Sequence, residues 1–97
     1  MVMAIQFFVE PFAKAIFEGR HPGKGFPPDL VRTTKRKLEM LHAAVSLESL
    51  RAPPGNRLEA LAGARKGQHS IRVNDQFRLC FVWSEAGPAY VEFVDYH

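Results

Sequence analysis

The sequence predicts an α+β fold, in which two N-terminal helices pack on one face of a curved antiparallel sheet. Apolar residues recur at helical spacing in the first half of the chain, and from Asn56 onward they alternate or run together in short stretches. Short turns separate these stretches, and strands joined by short turns are antiparallel neighbours. Helices that precede such a meander are expected to cover one face of the sheet and to leave the other face partly open for a site.

The N-terminal part of the chain predicts a strand, a helix and a loop in that order. The apolar run AIQFFV (residues 4–9) is a candidate first strand. A helix is expected next, because Pro11 suits a first helical turn and Gly19 suits the position just after a helix. Residues 20–29 are rich in Pro and Gly and are expected to form a loop.

The second predicted helix has the clearest periodicity. The apolar stripe that is expected to face the core consists of Leu30, Thr34, Leu38, Leu41 and Val45. The charged residues of the opposite face are Arg32, Lys35, Arg36 and Glu39. This charged face fits either a solvated outer surface or a surface that binds a phosphate backbone. Lys37 lies at the flank, where its stem is expected to cover apolar surface while its ammonium group reaches water.

Four stretches of the second half are predicted strands, namely residues 57–61, 69–73, 77–83 and 89–94. Before them, Pro54-Gly55 predicts a type II turn, because that turn takes Pro at its second position and Gly at its third. The connection NDQ (residues 74–76) predicts a hairpin turn without Gly, because Asn and Asp adopt positive φ more readily than most residues.

The bulk composition predicts one small domain, residues 1–97, of which 46% are hydrophobic. The 13 Lys and Arg exceed the 10 Asp and Glu by a net charge of +3, which fits either a solvated basic surface or an anionic partner such as nucleic acid. Cys80 is the one cysteine and lies in an apolar run, so a core thiol in a cytoplasmic protein is expected. Neither a signal peptide nor a membrane-spanning segment is expected.

Arg78 is the most unusual residue in the body of the chain. It lies between Phe77 and Leu79, inside a run that is otherwise without charge. An arginine on a central strand must reach water, pair with a carboxylate or bind an anion. An ion pair with Glu92 or Asp95 and an anion-binding role both remain open at this stage.

The chain ends in the polar tripeptide Asp95, Tyr96 and His97, directly after a predicted strand. If that strand pairs with the strand of Arg78, these residues emerge beside the guanidinium. Such a set suits phosphoryl chemistry on RNA, because the guanidinium binds phosphate, the imidazole or phenol moves protons, and the 2′-hydroxyl of RNA supplies the nucleophile. The alternative is a disordered polar tail.

No metal and no cofactor is expected. The four histidines are widely scattered without paired ligand spacing, and the single cysteine offers no partner for a metal site. The sequence also has no Gly-rich phosphate loop and no nucleophile elbow.

The segments PPGNRLEAL, RKGQ and SIRVNDQFR, followed by the terminal DYH, closely resemble the HigB-type toxins of the RelE/ParE superfamily of type II toxin–antitoxin systems. The resemblance covers the whole chain. It implies a RelE-like fold and a ribosome-dependent endoribonuclease, in which the 2′-hydroxyl of mRNA attacks the adjacent phosphate and leaves a 2′,3′-cyclic phosphate. It also implies a HigA-type helix-turn-helix antitoxin as partner, with operator DNA bound only through the toxin–antitoxin complex.

The resemblance assigns roles by position. Arg78 matches the strand arginine that contacts the scissile phosphate, and Asp95, Tyr96 and His97 match the C-terminal catalytic cluster. Tyr96 is also a candidate for stacking on a base. The basic residues that the resemblance expects to face RNA are Arg57, Arg65, Lys66 and Arg72.

Three positions depart from many relatives of this type. Ala62 stands where a lysine is frequent, His69 where tyrosine is common, and Glu59 where some relatives have a catalytic histidine. A missing cation is expected to weaken transition-state stabilisation, for which His69 could compensate if it faced the cleft. Ala62 therefore leaves open an attenuated toxin that keeps antitoxin binding and promoter control. The superfamily also offers a ParE-like inhibitor of DNA gyrase, although Arg78 and the terminal DYH favour the nuclease.

Overall fold

The computed structural model describes residues 4–96 and shows two α-helices followed by a four-stranded antiparallel sheet. The elements are α1 (Pro11–Phe17), α2 (Val31–Ala43), β1 (Glu59–Ala60), β2 (His69–Arg72), β3 (Phe77–Ser84) and β4 (Gly87–Asp95). The predicted α+β class is confirmed, because strands joined by short turns pair in sequence order, β1-β2-β3-β4.

The pairing register sets which residues share a face of the sheet. Ser70 on β2 lies opposite Cys80 on β3, which lies opposite Glu92 on β4, whereas Arg72 lies opposite Arg78. Because side chains alternate along a strand, these residues point to one face, which we call the open face. A register irregularity between Cys80 and Val82 follows on β3.

The helices cover the other face of the sheet. Ile16 of α1 and Leu38 and Leu41 of α2 are buried with Ile71 and Leu79 of the sheet in one hydrophobic cluster. Burial of such side chains contributes roughly 1.5–3 kcal/mol each to the hydrophobic driving force. The helices thus leave the open face for other roles.

The first helix begins and ends where the sequence predicts. Glu10 caps it, because its carboxylate accepts hydrogen bonds from the backbone N–H groups of Phe12 and Ala13. Pro11 occupies the first turn, where its missing N–H is not needed. Gly19 follows the helix with φ of 79°, a left-handed conformation that glycine adopts at little cost.

The predicted strand at residues 4–9 is reduced to one bridge. Phe8 forms an isolated parallel bridge with Val91 of β4. Backbone hydrogen bonds from Gln6 to Pro88 and from Val9 to Val91, both 2.9 Å, hold the segment along β4. The segment therefore lies along the edge of the sheet without forming a regular strand.

Two predictions about α2 are wrong. Val45 is 77% exposed, because the helix ends at Ala43 and the helical stripe stops with it. Lys37 does not reach water but is only 6% exposed, and its ammonium group donates to the side-chain oxygen of Asn56. The ammonium group of Lys37 thus donates to an acceptor that is distant in sequence, and not to the water that the helical pattern predicted.

The predicted type II turn at Pro54-Gly55 is also wrong. A type II turn needs positive φ at the glycine, and Gly55 is not among the positive-φ residues of the described chain. Residues Pro54–Asn56 instead form a short 3₁₀ helix, and the following Arg57 takes the left-handed conformation with φ of 45°. The turn is therefore shifted by one to two residues toward Arg57.

Candidate active site

Arg78 lies near the start of β3 on the open face and is only 9% exposed. Its Nε donates to the Ser70 hydroxyl at 2.7 Å, and its Nη2 donates to the backbone carbonyl of Arg57. A longer contact of 3.5 Å joins Nη2 to the Ser70 carbonyl. Uncharged oxygens therefore fix the plane of this guanidinium.

An ion pair does not account for the burial of Arg78. Within residues 4–96, none of the ion pairs includes Arg78. Glu92, one of the two carboxylates considered from sequence, lies 3.1 Å from Nη1 of Arg65 instead. The positive charge of Arg78 is thus held near the surface without a carboxylate from this part of the chain.

A depression of about 260 Å³ opens above Arg78. The residues that line this depression, which we call the arginine depression, are Arg57, Arg72, Asn74, Asp75, Arg78 and Tyr96. Three guanidinium groups face one carboxylate there, and that carboxylate, Asp75, pairs with Arg72. The arginine depression is therefore electropositive and fits an anionic ligand.

Tyr96 forms one wall of the arginine depression. Its ring centroid lies 5.8 Å from the Cζ atom of Arg78, within cation–π distance. Its hydroxyl donates to Glu59 at 3.3 Å, and its backbone N–H donates to the Gln76 carbonyl at 2.7 Å. Tyr96 is fixed by the sheet and still 37% exposed, so one part of the ring remains accessible.

Asp95 lies at the same end of the sheet. It is paired with Phe77 of β3, and its Oδ2 accepts from the side-chain amide of Gln76 at 3.1 Å. Alternation along β4 directs it to the side opposite Tyr96. His97, the third member of the predicted cluster, lies outside the described residues.

The two remaining basic residues of the prediction, Arg65 and Lys66, do not line the arginine depression. Arg65 donates to Gln68 at 3.0 Å and to Glu92 at 3.1 Å. The hydrogen bond to Glu92 raises the pKa of Arg65 above its ordinary value. Lys66 is exposed on the loop that follows.

The structure shows where the three residues that differ from many relatives lie, namely Glu59, Ala62 and His69. His69 is directed with Ile71 toward the helix side of the sheet and stacks on Phe81, with ring centroids 6.4 Å apart. It therefore does not face the arginine depression and does not replace a cation there. Ala62 is exposed and precedes a short 3₁₀ turn. Glu59 is exposed and accepts a hydrogen bond from the hydroxyl of Tyr96, which lines the depression.

Sequence reasoning missed Ser70 and Asn74 as site residues. Ser70 is fully buried beneath Arg78 and supplies the acceptor for its Nε. Asn74 lines the arginine depression and caps the β2–β3 turn, because its side-chain oxygen accepts from the backbone of Phe77 at 2.7 Å. Side chains alternate along the strand HSIRV, so Ser70 shares a face with Arg72. Only the strand register shows that the hydroxyl of Ser70 meets Arg78.

Three further properties concern metal binding, the cysteine and the membrane. Among residues 4–96, no group of three or more His, Cys, Asp or Glu side chains is arranged to bind a metal ion. Cys80 is fully buried, as predicted, and burial raises the pKa of its thiol above the ordinary value. The helices of the described chain are all too short or too polar to cross a membrane.

A family model and one relative of this chain indicate the same family. The sequence model for HigB-like toxins, described as RelE-like toxins of the HigB type II toxin–antitoxin system, matches residues 6–97. Toxin HigB-1 of Vibrio cholerae serotype O1 is 40% identical over 95 residues, which cover 98% of either chain. An uncharacterized protein of Haemophilus influenzae is 42% identical over 55 residues, or 57% of this chain and 54% of that protein. The chain therefore belongs to the HigB-like family of RelE-like toxins of type II toxin–antitoxin systems.

Proposed function

We propose that this toxin is an endoribonuclease that cleaves mRNA on the ribosome. The observation that supports the proposal is the buried guanidinium of Arg78, which uncharged oxygens hold beneath an exposed tyrosine in a depression with two further arginines. A phosphodiester supplies the missing negative charge, and Tyr96 offers a ring for an adjacent base. A type II toxin has a cognate antitoxin, and we propose a HigA-type helix-turn-helix protein for that role.

We further propose that the protein is a single RelE-like domain, residues 1–97, that acts in the cytoplasm. The antitoxin neutralises it, and operator DNA is bound through the toxin–antitoxin complex. The layered arrangement of two helices and an antiparallel sheet agrees with this fold.

In the proposed reaction, the 2′-oxygen attacks the adjacent phosphorus and the bond to the 5′-oxygen breaks, which leaves a 2′,3′-cyclic phosphate. Arg78 binds the phosphate and stabilises the charge that develops on its oxygens. His97 gives a proton to the leaving 5′-oxygen, and Asp95 orients the chain end. The hydroxyl of Tyr96, which donates to Glu59, offers the 2′ proton a route to a carboxylate.

The direct test is cleavage of a defined mRNA on programmed ribosomes. We expect the wild-type chain to cut the message and Arg78→Ala to cut at least about 100-fold more slowly, because one preorganised charge donor is lost. Arg51→Ala is the control, since Arg51 is exposed and pairs with Glu48 away from the arginine depression. An Arg78→Ala rate equal to wild type would contradict the assignment of Arg78.

The same experiment separates the alternatives. Intact message with DNA breaks on expression would indicate a gyrase inhibitor instead of a nuclease. Intact message that becomes cleaved in Ala62→Lys would indicate an attenuated toxin, because a cation near the site would then restore transition-state stabilisation. Either result would replace the nuclease proposal for the natural sequence.

A further inference from the structure

The oxygen that fixes Arg78 from one side belongs to a residue in an unusual conformation. Arg57 has φ of 45° and ψ of 54°, a left-handed geometry that costs a non-glycine residue roughly 1–2 kcal/mol. Its carbonyl oxygen accepts from Nη2 of Arg78 across 21 positions in sequence. The direction of this carbonyl therefore depends on the contacts that hold the preceding 3₁₀ turn, Pro54–Asn56, in place.

Asn56 holds that turn. Its side chain is fully buried, and its amide nitrogen donates to the carbonyl of Leu50 at 3.1 Å and to that of Ala52 at 3.4 Å. Its own backbone N–H donates to the Pro53 carbonyl at 2.9 Å. These bonds connect Asn56 to residues 50, 52 and 53. The peptide between Asn56 and Arg57 therefore has little freedom.

Lys37 fixes Asn56 from the helix side. Its ammonium group donates to the side-chain oxygen of Asn56, and the residue is 6% exposed. Within residues 4–96, none of the ion pairs includes Lys37. Burial lowers the pKa of Lys37, and the positive charges of Arg36 and Arg72 lower it further.

Such a pair is costly for folding. A buried charge without a carboxylate partner is unfavourable, so the burial of the Lys37 ammonium group does not by itself stabilise the fold. The hydrogen bonds of the pair lead from α2 to the turn that places the Arg57 carbonyl against Arg78. The pair is thus connected to Arg78 through the turn and the backbone carbonyl of Arg57.

We infer that Lys37 and Asn56 are positioning residues, which act through the Arg57 carbonyl to set the guanidinium of Arg78 for the phosphate of RNA. The part of this inference that concerns RNA rests on the proposed function. The part that concerns Arg78 does not, because it describes a hydrogen-bonded chain within the protein. The two parts can therefore fail separately.

The test uses Lys37→Met, which keeps the length of the side chain and removes the hydrogen bond to Asn56. We expect the variant to stay folded under the assay conditions, with a lower free energy of unfolding, because the buried side-chain oxygen of Asn56 loses its donor. We expect kcat for message cleavage to fall at least about tenfold with KM within about twofold, because displacement of a catalytic group by 1 Å can cost about 100-fold in rate. A residue with a merely structural role would give no such loss in a variant that stays folded.

Thr34→Val is the matched control. Thr34 is fully buried on the same helix, and its hydroxyl has no hydrogen-bond partner within the described chain. This change also replaces a buried polar group by an apolar one, but it has no connection to Asn56. Its kcat is expected to equal the wild-type value, and an equal loss in Thr34→Val and Lys37→Met would overturn the inference.

A second readout does not depend on cleavage. The Nε–H of Arg78 donates to the buried hydroxyl of Ser70, so its exchange with solvent, measured by NMR, reports how firmly the guanidinium is held. We expect at least about tenfold faster exchange in Lys37→Met. Asn56→Asp gives a second test, since it keeps the acceptor for Lys37 and removes both donations to backbone carbonyls.

Exchange at the wild-type rate in either variant would overturn the inference, whatever the RNA result. If wild type leaves mRNA intact while exchange accelerates in both variants, the proposed function fails and the positioning of Arg78 stands.

Discussion

Arg78 donates to the Ser70 hydroxyl and to the backbone carbonyls of Arg57 and Ser70, all of which are uncharged. At partial burial, water screens a charge less than it does at the surface, so an incoming anion is attracted more strongly. Glu92 could have neutralised this charge but is engaged by Arg65. These contacts support phosphate binding and explain why a lysine would not replace Arg78, since a single ammonium group cannot reproduce the directions of two guanidinium nitrogens.

The hydrogen bond from the Tyr96 hydroxyl to Glu59 offers a route for the 2′ proton that can be tested by single substitutions. If the 2′ proton passes through the Tyr96 hydroxyl to Glu59, then Tyr96→Phe and Glu59→Gln each lower the cleavage rate by roughly 100-fold. The double variant should lose little more, because both changes interrupt one route. Cleavage rates on programmed ribosomes check this expectation. Fully additive losses, or wild-type rates in both single variants, would exclude the route.

Single residues differ in how far the sequence reveals them. Arg78 stands out from sequence because a charge inside an apolar strand needs a special partner. Its acceptors do not stand out, because the Ser70 contact depends on strand register and the Arg57 contact on a left-handed residue. The position of Lys37 was mispredicted for a related reason, since its acceptor Asn56 is 19 positions away and helical periodicity says nothing about it.

Glu10 connects α1 to β4, so its removal tests how these two elements are held together. Its carboxylate caps α1 and also accepts from the backbone N–H of Phe93 on β4 at 3.0 Å. Glu10→Ala is expected to lower the free energy of unfolding by about 1–2 kcal/mol, because three backbone contacts lose their acceptor. Urea unfolding measures this loss. Glu39→Ala, at an exposed position of α2, is the control and should change the free energy of unfolding by less than about 0.5 kcal/mol. Equal losses in Glu10→Ala and Glu39→Ala would contradict the role of Glu10 as a cap.

Gly87 allows the N-terminal segment to approach β4. A Cβ at this position would lie 2.5 Å from the Ala4 carbonyl oxygen, and the φ of Gly87 is 121°. Gly87→Ala is therefore expected to displace residues 4–9 and to speed amide hydrogen exchange at Gln6 and Val9, while β2 and β3 stay protected. Gly55→Ala is the control, since a Cβ there meets nothing within 4 Å. Unchanged exchange at Gln6 in Gly87→Ala would contradict this packing.

Elements with local signals were predicted well, and elements that depend on distant contacts were not. Pro11, Gly19 and the spacing around Leu38 determine both helices through contacts within a few residues. The 3₁₀ turn at Pro54–Asn56 depends on the buried side chain of Asn56, whose partner Lys37 lies on α2. No local pattern encodes that partner, so the sequence favoured the ordinary type II turn.

At the scale of the whole molecule, the two faces of the sheet have separate tasks. One face is buried by the helices and stabilises the fold, while the other carries the arginine depression. This layered arrangement follows from the order of elements and was predictable. The family resemblance places Arg57, Arg72 and Arg78 on one RNA-facing surface, but no local sequence pattern predicts their meeting, because it arises from the pairing of strands and the left-handed turn at Arg57.

We propose that RNA binds in the arginine depression instead of on the charged outer face of α2. Short single-stranded RNA with 2′-O-methyl groups throughout cannot undergo attack by a 2′-hydroxyl, so its binding can be followed by NMR without cleavage. We predict that the largest shifts occur at the Nε–H of Arg78 and the ring of Tyr96, and that they weaken as salt rises. Shifts confined to Arg32, Lys35 and Arg36, with Arg78 unchanged, would contradict the account.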